Sequence, residues 1–260
     1  MHGMKSTTPI VLVIAGLDPS GGAGLVADIQ TVTALGAHPA TVATTLTVQD
    51  TRNALEVRPL DAAFVAAQAR AVLADMPIAA IKLGLLGSAA TGAAIAELLN
   101  ESPDIPVVLD PVLVASGGAR LAEDALIDVM RNALLPRALL ATPNRREFLR
   151  LTDGGDDARR ASGLLAGGCA NLLVTGGDDD TTTVRNTLFS HSAAPQQYEW
   201  PRLAGPFHGS GCTLAAAAAA ALAQGMKVAD AVKRAQEFTF GALQRAQRLG
   251  RGQPIPYRMP

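Results

Sequence analysis

Aromatic residues are scarce in this chain of 260 residues, at 3% of the sequence, although hydrophobic residues as a whole make up 48%. A surface that stacks nucleic-acid bases needs aromatic side chains, so the composition argues against such a surface. Neither sign of charge is in excess, because 22 Lys and Arg face 23 Asp and Glu, for a formal net charge of -1. The sequence therefore has no overall basic field to attract nucleic acid or an anionic membrane, and we expect neither as a partner.

Cysteine and long apolar runs are also in short supply. The two cysteines, Cys169 and Cys212, lie far apart and do not have the spacing of a zinc site, which is typical of a protein from a reducing, cytoplasmic compartment. The apolar run at residues 10–16 is too short to cross a bilayer. The longest segment without Asp, Glu, Lys or Arg, residues 203–226, contains four glycines and His208, so it does not predict a membrane helix.

Short apolar or Thr-rich runs alternate with segments in which apolar residues recur every three or four positions. The runs are typical of strands buried on both faces, and the segments of amphipathic helices. Their alternation predicts an α/β fold with a mostly parallel sheet covered by helices on both sides. The predicted strands span residues 10–14, 41–48, 79–83, 107–109, 138–141 and 172–174, and the predicted helices span 23–35, 62–73, 91–99, 124–135 and 157–165.

The pattern changes after Val174. Residues 187–189 and 198–200 predict short antiparallel strands at an edge of the sheet, and two helices follow. Neither an internal repeat nor a linker interrupts the sequence, so we expect one domain over residues 1–260, with a loosely ordered tail from Gly250.

Residues 208–213, His-Gly-Ser-Gly-Cys-Thr, form a glycine-spaced turn that leads into an alanine-rich helix. Free amide groups and the positive end of a helix dipole bind anions, and glycines let phosphate oxygens approach the main chain. The same position predicts a lowered pKa for the thiol of Cys212. The alternative is a glycine-rich connection with a structural cysteine.

A second glycine-rich turn, residues 18–24, follows the first predicted strand, where open α/β sheets place their ligand crevices. It has neither the spacing of the dinucleotide fingerprint nor the Gly-Lys-Ser/Thr of a Walker loop. A capped turn explains Ser20 and the glycines equally well. Asp28, on the helix that follows, and Gln49, at the end of the second strand, have the donors and acceptors that suit an aminopyrimidine edge. Taken singly, each is more simply a solvated residue.

Three polar residues follow two neighbouring strands. Asp110, Asn144 and Glu147 provide the oxygen ligands that suit Mg²⁺ or its bound waters. Asn144 and Glu147 are also spaced as a helix capping box, and the two roles are compatible. Lys82 is either a strand-end contact or an inward lysine whose ammonium reaches solvent, and we favour the second interpretation.

The residues at 15–24, 110–112, 142–144 and 208–213 together resemble the hydroxymethylpyrimidine and phosphomethylpyrimidine kinases of thiamine biosynthesis, over nearly the whole chain. The resemblance implies a ribokinase-like three-layer α/β/α sandwich, often dimeric. It also implies that MgATP phosphorylates 4-amino-5-hydroxymethyl-2-methylpyrimidine and then its monophosphate.

The resemblance also implies roles for individual residues. Cys212 matches the catalytic position, and Gly209, Ser210 and Gly211 complete an anion hole with it. The remaining assignments are pyrimidine contacts at Asp28, Gln49, Gly16 and Leu85, nucleotide contacts at Asp110, Asn144, Glu147 and Thr175, and Mg²⁺ at Glu147, through water.

This sequence departs from the family pattern at three places. Leu85 replaces a frequent Met, Thr175 stands where many members carry Lys, and residues 115–118 lack a Lys that often follows Asp-Pro-Val. Phosphoryl transfer needs its charge neutralised, so either Mg²⁺ and the amides suffice, another cation substitutes, or activity is reduced. The candidate substitutes are Arg145, Arg146 and Lys82.

Two other functions fit the same residues. A pyridoxine or pyridoxal kinase also acts on a hydroxymethyl group of a nitrogen heteroaromatic ring, although Asp28 and Gln49 favour an amino-bearing pyrimidine. A non-catalytic protein that binds a thiamine precursor would explain the missing lysines, whereas the presence of Asn144, Glu147 and Cys212 argues against it.

Overall fold

The computed structural model describes residues 8–114, 121–179, 181–191 and 193–259. In these residues one nine-stranded sheet has the order β3-β2-β1-β4-β5-β6-β7-β8-β9. The strands β1, β2, β4, β5, β6 and β7 pair in parallel, and β3, β8 and β9 add antiparallel edges. The strands are β1 (Ile10–Leu17), β2 (His38–Gln49), β3 (Ala54–Pro59), β4 (Ile78–Leu83), β5 (Val107–Leu109), β6 (Leu140–Ala141), β7 (Asn171–Val174), β8 (Thr183–Ser190) and β9 (Ala193–Pro201).

Helices cover both faces of this sheet. Along β1 the side chains alternate, so that Leu12 and Ile14 belong to one apolar core while Val11 and Val13 belong to the other. Helices α2 to α6 pack on the first core, and α1, α7 and α8 pack on the second. The helices are α1 (Gly24–Ala34), α2 (Ala62–Asp75), α3 (Ala89–Glu101), α4 (Asp124–Val129), α5 (Arg145–Leu151), α6 (Asp157–Ala166), α7 (Ser210–Ala223) and α8 (Val228–Gln244).

This arrangement confirms the predicted three-layer α/β/α sandwich with a mostly parallel sheet. A π-helical turn at Met130–Leu134 and a 3₁₀ turn at Leu135–Arg137 continue α4 and complete the segment predicted as one helix. The prediction missed strand β3, because its side chains are mostly exposed and it lacks a buried apolar run. Among the described residues, no helix combines the length and the apolar character that crossing a membrane requires.

Helix α7 lies against the middle of the sheet because its side chains are small. Ala215 to Ala221 are all buried, and alanine is the strongest helix former. Side chains of this size let the helix axis approach β1 and β4 closely. The amino end of α7 is thereby held near the carboxyl ends of the central strands.

The carboxyl-terminal tail is ordered, so the prediction of a loose tail was wrong for residues 250–259. Ile255 pairs with Gln247 in an isolated bridge, and the amide of Tyr257 donates to the carbonyl of Ala242 at 3.0 Å. Arg258 is only 1% exposed. The composition of the tail did not reveal these contacts, because their partners lie elsewhere in the chain.

Candidate functional site

A cavity of about 420 Å³ opens at the carboxyl ends of the parallel strands. Strand β1 lies between β2 and β4. The chain adds β2 and β3 on one side of β1 and then adds β4 and the later strands on the other side. Open α/β sheets bind ligands at the point where the strand order reverses in this way. Every predicted site residue except Asp28 lines this cavity. Those residues are Gly16, Gln49, Leu85, Asp110, Asn144, Glu147, Thr175, Gly209, Ser210, Gly211 and Cys212.

The turn after β1 is held together by Asp18. The carboxylate accepts the amide of Ser20 and the amide of Ala23, each at 2.8 Å, and the hydroxyl of Ser20 at 3.0 Å. Gly24 has a φ of +56°, and a Cβ on it would lie 2.2 Å from the carbonyl oxygen of Gly16. The glycine at 24 is therefore required for the close approach of the start of α1 to β1.

His208 joins this turn to the loop before α7. Its Nε2 lies 2.7 Å from Oδ2 of Asp18 and 3.2 Å from the side-chain nitrogen of Gln49. Burial acts to raise the pKa of Asp18, but the hydrogen bonds from His208 and Ser20 outweigh it, and the pKa is lowered. One imidazole thus connects three segments that border the cavity.

Asp28 does not line the cavity, which corrects its assignment as a direct pyrimidine contact. It is fully buried on α1, and its Oδ2 lies 2.8 Å from Nζ of Lys82 on β4. The preferred interpretation of Lys82 was wrong as well, because its side chain has no exposure to solvent. Burial acts to lower the pKa of Lys82, but Asp28, Cys212 and Asp110 together outweigh it and raise the pKa, so the ammonium stays charged.

The start of α7 presents main-chain amides to the cavity. Gly209 is the N-cap residue, with a φ of +82°, and no side chain of the described residues caps this end. The first intrahelical bond runs from the amide of Thr213 to the carbonyl of Gly209, so the amides of Ser210, Gly211 and Cys212 have no helical acceptor. This is the arrangement that binds anions.

The thiol of Cys212 does not have the lowered pKa that its position at a helix start predicts. Burial raises the pKa to about 12; Lys82 acts to lower it, and Asp110 and Asp28 act to raise it further. The helix dipole is therefore outweighed by desolvation and by two carboxyl groups. The group that faces the cavity is a neutral thiol.

Asp110, Asn144 and Glu147 lie together in the cavity wall formed after β5 and β6. Asn144 and Glu147 form the predicted capping box: the amide of Glu147 donates to Oδ1 of Asn144 at 2.9 Å, and the amide of Asn144 donates to Oε2 of Glu147 at 3.0 Å. Burial, followed by the charge of Asp110, raises the pKa of Glu147 to about 8. Burial also raises the pKa of Asp110, whereas Lys82 acts to lower it.

These two carboxyl groups fit a divalent cation. Both are buried, the charge of Asp110 raises the pKa of Glu147, and Oδ2 of Asp110, which lies 3.8 Å from Nζ of Lys82, has no hydrogen-bond partner among the described residues. A Mg²⁺ ion held by its waters would neutralise both charges and provide the missing partner. One oxygen of Glu147 accepts from the amide of Asn144 in the capping box, and the other accepts from the amide of Leu113 at 3.4 Å. Each carboxylate oxygen has a second lone pair, so both remain able to accept from a water bound to the metal.

Gly16 and Leu85 shape the side of the cavity that lies next to Gln49. A Cβ on Gly16 would lie 2.7 Å from the methyl group of Thr45 and 3.1 Å from the side chain of Leu85. The glycine therefore makes room where two strand ends meet. Thr44 and Leu85 are connected directly, because the hydroxyl of Thr44 donates to the carbonyl of Leu85 at 2.6 Å.

The sequence profile of the phosphomethylpyrimidine kinase family matches residues 18–256. The chain belongs to the phosphomethylpyrimidine kinase family. This confirms the family that the motifs resemble.

Curated relatives agree with this assignment. The chain is 39% identical over 254 residues to a hydroxymethylpyrimidine/phosphomethylpyrimidine kinase of Streptomyces coelicolor, over 95% of this chain and 93% of the relative. It is 41% identical over 247 residues, or 93% of this chain, to the thiamine biosynthesis bifunctional protein ThiED of Geobacter sulfurreducens. The chain spans half the length of that bifunctional relative.

Solved structures show the same fold. An ADP complex of Bacillus subtilis pyridoxal kinase superimposes with a TM-score of 0.87 at 27% identity, over 97% of this chain and 98% of that one. A phosphomethylpyrimidine kinase of Clostridium difficile 630 superimposes with a TM-score of 0.79 at 28% identity, over 91% of this chain and 100% of that one.

Two of the three cations that could replace the missing family lysines are already paired in the fold. Arg145 pairs with Asp157 at 2.5 Å, and Lys82 is paired with Asp28, so neither is free to replace a lysine at position 175. Arg146 lines the cavity and lies 3.9 Å from Asp178. The segment 115–118, where the second family lysine is missing, lies outside the described residues.

Arg202, which was not predicted, borders the same part of the cavity as Thr175. Its guanidinium donates to the carbonyls of Gly177 at 2.9 Å and Gly176 at 3.2 Å. His208 was noted only as part of its motif, and its hydrogen bond to Asp18 and its contact with Gln49 were not predicted. Such contacts join distant segments, so no local spacing reveals them.

Proposed function

We propose that this member of the phosphomethylpyrimidine kinase family transfers the γ-phosphoryl group of ATP to 4-amino-5-hydroxymethyl-2-methylpyrimidine and then to its monophosphate. One observation carries the proposal: the free amides at the start of α7 and the amide side chain of Gln49 line one cavity, together with the carboxyl pair Asp110 and Glu147. An acceptor site, an anion site and a cation site are thus adjacent.

The pyrimidine lies beside Gln49, against the part of the wall that Gly16 and Leu85 form together. The side-chain amide of Gln49 donates to a ring nitrogen or accepts from the exocyclic amino group. Leu85, which is 9% exposed, offers the ring an apolar contact. Asp28 contributes through Lys82, whose ammonium it holds at the base of the cavity.

ATP lies along the wall that contains Asp110, Asn144 and Thr175. The ADP complex of the Bacillus subtilis pyridoxal kinase supports a nucleotide in a fold of this kind. Glu147, through water, and Asp110 would hold Mg²⁺, which supplies positive charge to the phosphate oxygens. Arg146 and Arg202 add positive charge to this wall.

The hydroxymethyl oxygen attacks the γ-phosphorus in line and forms the new O–P bond as the bond to ADP breaks, and the hydroxyl proton passes late to an oxygen of the transferred phosphoryl group. Charge on the oxygens of the moving phosphoryl group is stabilised by the amides of Ser210, Gly211 and Cys212. The transition state is loose and needs little deprotonation of the acceptor at an early stage. A neutral thiol at Cys212 therefore suits a group that positions the acceptor oxygen by a hydrogen bond better than it suits a base.

The direct test is phosphorus NMR of a reaction that contains the purified protein, MgATP and the pyrimidine alcohol. We expect the monophosphate to form first and the diphosphate to follow. ADP without a phosphorylated pyrimidine, or no change in ATP at all, would contradict the proposal. Calorimetry would then distinguish a non-catalytic binding protein, which would bind the pyrimidine without turnover.

A pyridoxal kinase is the second candidate. The observation in its favour is the TM-score of 0.87 with the Bacillus subtilis enzyme, higher than the 0.79 with the Clostridium difficile phosphomethylpyrimidine kinase. Competition between pyridoxal and the pyrimidine alcohol in one ATP-consumption assay separates the two. A higher kcat/KM for pyridoxal would favour the second candidate.

We also propose that the chain forms a homodimer and acts in the cytoplasm. Leu46, Val48 and Leu55 are 46%, 52% and 75% exposed on the edge hairpin of β2 and β3, where a second copy would cover them. Both cysteines are free, which is compatible with a reducing compartment. Sedimentation of the wild type and of Leu55→Glu tests the dimer, and the substitution should shift the chain towards the monomer.

A further inference from the structure

The tail residue Arg258 is buried next to the cavity without being part of its wall. Its side chain is 1% exposed, and every contact that the structure gives its guanidinium is to a neutral oxygen. Nη2 lies 2.5 Å from the carbonyl oxygen of Gly22 and 3.5 Å from that of Gly209. Nε donates to the hydroxyl of Thr213 at 2.8 Å, and Nη1 donates to the side chain of Gln30 at 3.1 Å.

These contacts join the two glycine-rich turns of the site. Gly22 belongs to the turn after β1, and Gly209 is the N-cap residue of α7. The two turns touch through their main chains, since a Cβ on Gly209 would lie 2.0 Å from the carbonyl oxygen of Gly22. Glycines give such turns little stiffness of their own, so a shared partner is needed to fix their separation.

Thr213 extends the connection into the helix. Its hydroxyl donates to the carbonyl of Gly209 at 2.8 Å and accepts from Nε of Arg258. The guanidinium therefore reaches Gly209 twice, once directly and once through Thr213. Its charge lies just behind the amides that open α7, where positive potential favours an anion.

We propose that Arg258 is a positioning residue for phosphoryl transfer, because it fixes the turn containing Gly22 against the start of α7. The inference rests on the proposed kinase function. Small displacements between a bound acceptor and a phosphoryl group slow transfer far more than they weaken binding of either one. The carboxyl-terminal tail is thus part of the catalytic structure, although no atom of Arg258 lines the cavity.

The test compares Arg258→Ala with Arg251→Ala, which removes an exposed arginine of the same tail. We expect Arg258→Ala to lower kcat about 10- to 100-fold while the KM for the pyrimidine changes less than about threefold. Millimolar guanidinium should restore part of the kcat, whereas equimolar NaCl should not. Arg251→Ala should keep wild-type kinetics.

Three results would overturn the inference: wild-type kcat in Arg258→Ala, a change confined to KM, or a loss of kcat that guanidinium does not restore. If Arg258→Ala does not fold, Arg258→Lys decides, because it keeps the charge but cannot reach Gly22 and Thr213 together. A kcat of Arg258→Lys within about twofold of wild type overturns the inference, and a larger loss supports it.

Failure of the proposed function would be distinct from failure of this inference, because the wild type would then lack pyrimidine turnover. Amide hydrogen exchange at Gly22 and Thr213, whose amides donate to Ser20 and Gly209, tests the positioning role without turnover. Faster exchange at both turns in Arg258→Ala than in Arg251→Ala supports the connection, and equal exchange contradicts it.

Discussion

Nε2 of His208 lies 2.7 Å from Oδ2 of Asp18, although 190 positions separate the two residues in the chain. The contact attaches the loop before α7 to the turn after β1. The side-chain nitrogen of Gln49 lies 3.2 Å from the same ring nitrogen, whose hydrogen goes to Asp18, so the end of β2 packs against the imidazole. The proposed pyrimidine side and phosphoryl side of the cavity are therefore linked through one imidazole.

Replacing His208 should destabilise the fold. His208→Ala removes a partner of the buried carboxylate of Asp18, which costs about 1 to 3 kcal/mol in free energy of unfolding. Urea unfolding measures the change. His38→Ala, at an exposed histidine, is the control and should be close to wild type. Equal losses of free energy of unfolding in the two variants would show that the contact with Asp18 does not stabilise the fold.

The ion pair of Lys82 and Asp28 should behave as a buried pair. Lys82→Met leaves the carboxylate of Asp28 buried without its partner and should lower the free energy of unfolding by about 3 to 5 kcal/mol. The double variant with Asp28→Leu should recover much of that loss. The exposed pair Arg70 and Glu101 is the matched control, and its disruption should have little effect.

Alkylation of Cys212 should reveal its raised pKa. Iodoacetamide reacts with the thiolate, so the rate at Cys212 should rise about tenfold per pH unit between pH 8 and pH 10. A free thiol with an ordinary pKa of about 8.5 levels off within that interval. Mass spectrometry distinguishes Cys212 from the fully buried Cys169. A rate that levels off near pH 8 would contradict the raised pKa and support the lowered pKa that the position of Cys212 at a helix start predicts.

Removing the thiol should affect turnover more than binding. Cys212→Ala keeps the main-chain amide but loses the side chain that faces the acceptor, and we expect kcat to fall by about 10²-fold. The affinity for the pyrimidine, measured by calorimetry, should change little. Cys169→Ala is the control for loss of a cysteine outside the cavity. A near-normal kcat in Cys212→Ala would refute the role of its side chain.

Glu147 should make the metal-free protein less stable as the pH rises. Its pKa is raised from 4.5 to about 8 in the fold, so between these values the folded state binds more protons than the unfolded state, and stability falls with increasing pH. Glu147→Gln keeps a capping side chain and should flatten this slope. Glu97→Gln, at an exposed residue of α3, should leave it unchanged. Urea unfolding in EDTA at several pH values measures the slopes.

Much of the fold was predictable from local patterns. The alternation of Leu12 and Val13 between two cores, and the buried runs at β5 and β7, follow directly from the spacing of apolar residues. The capping box of Asn144 and Glu147 is equally local, because both partners lie within one turn. The ends of parallel strands meet at one edge of a sheet, so the order of the elements also placed most predicted site residues together.

The sequence by itself thus determined the layers, the family motifs and the edge of the sheet at which the cavity opens. Only the tertiary structure decided that Asp28 faces Lys82 instead of the cavity, that Cys212 is a neutral thiol, and that Arg258 is buried. Periodicity and capping depend on neighbours within a few residues. A pKa or an ion pair depends on burial and on charges that reach the same place from distant segments.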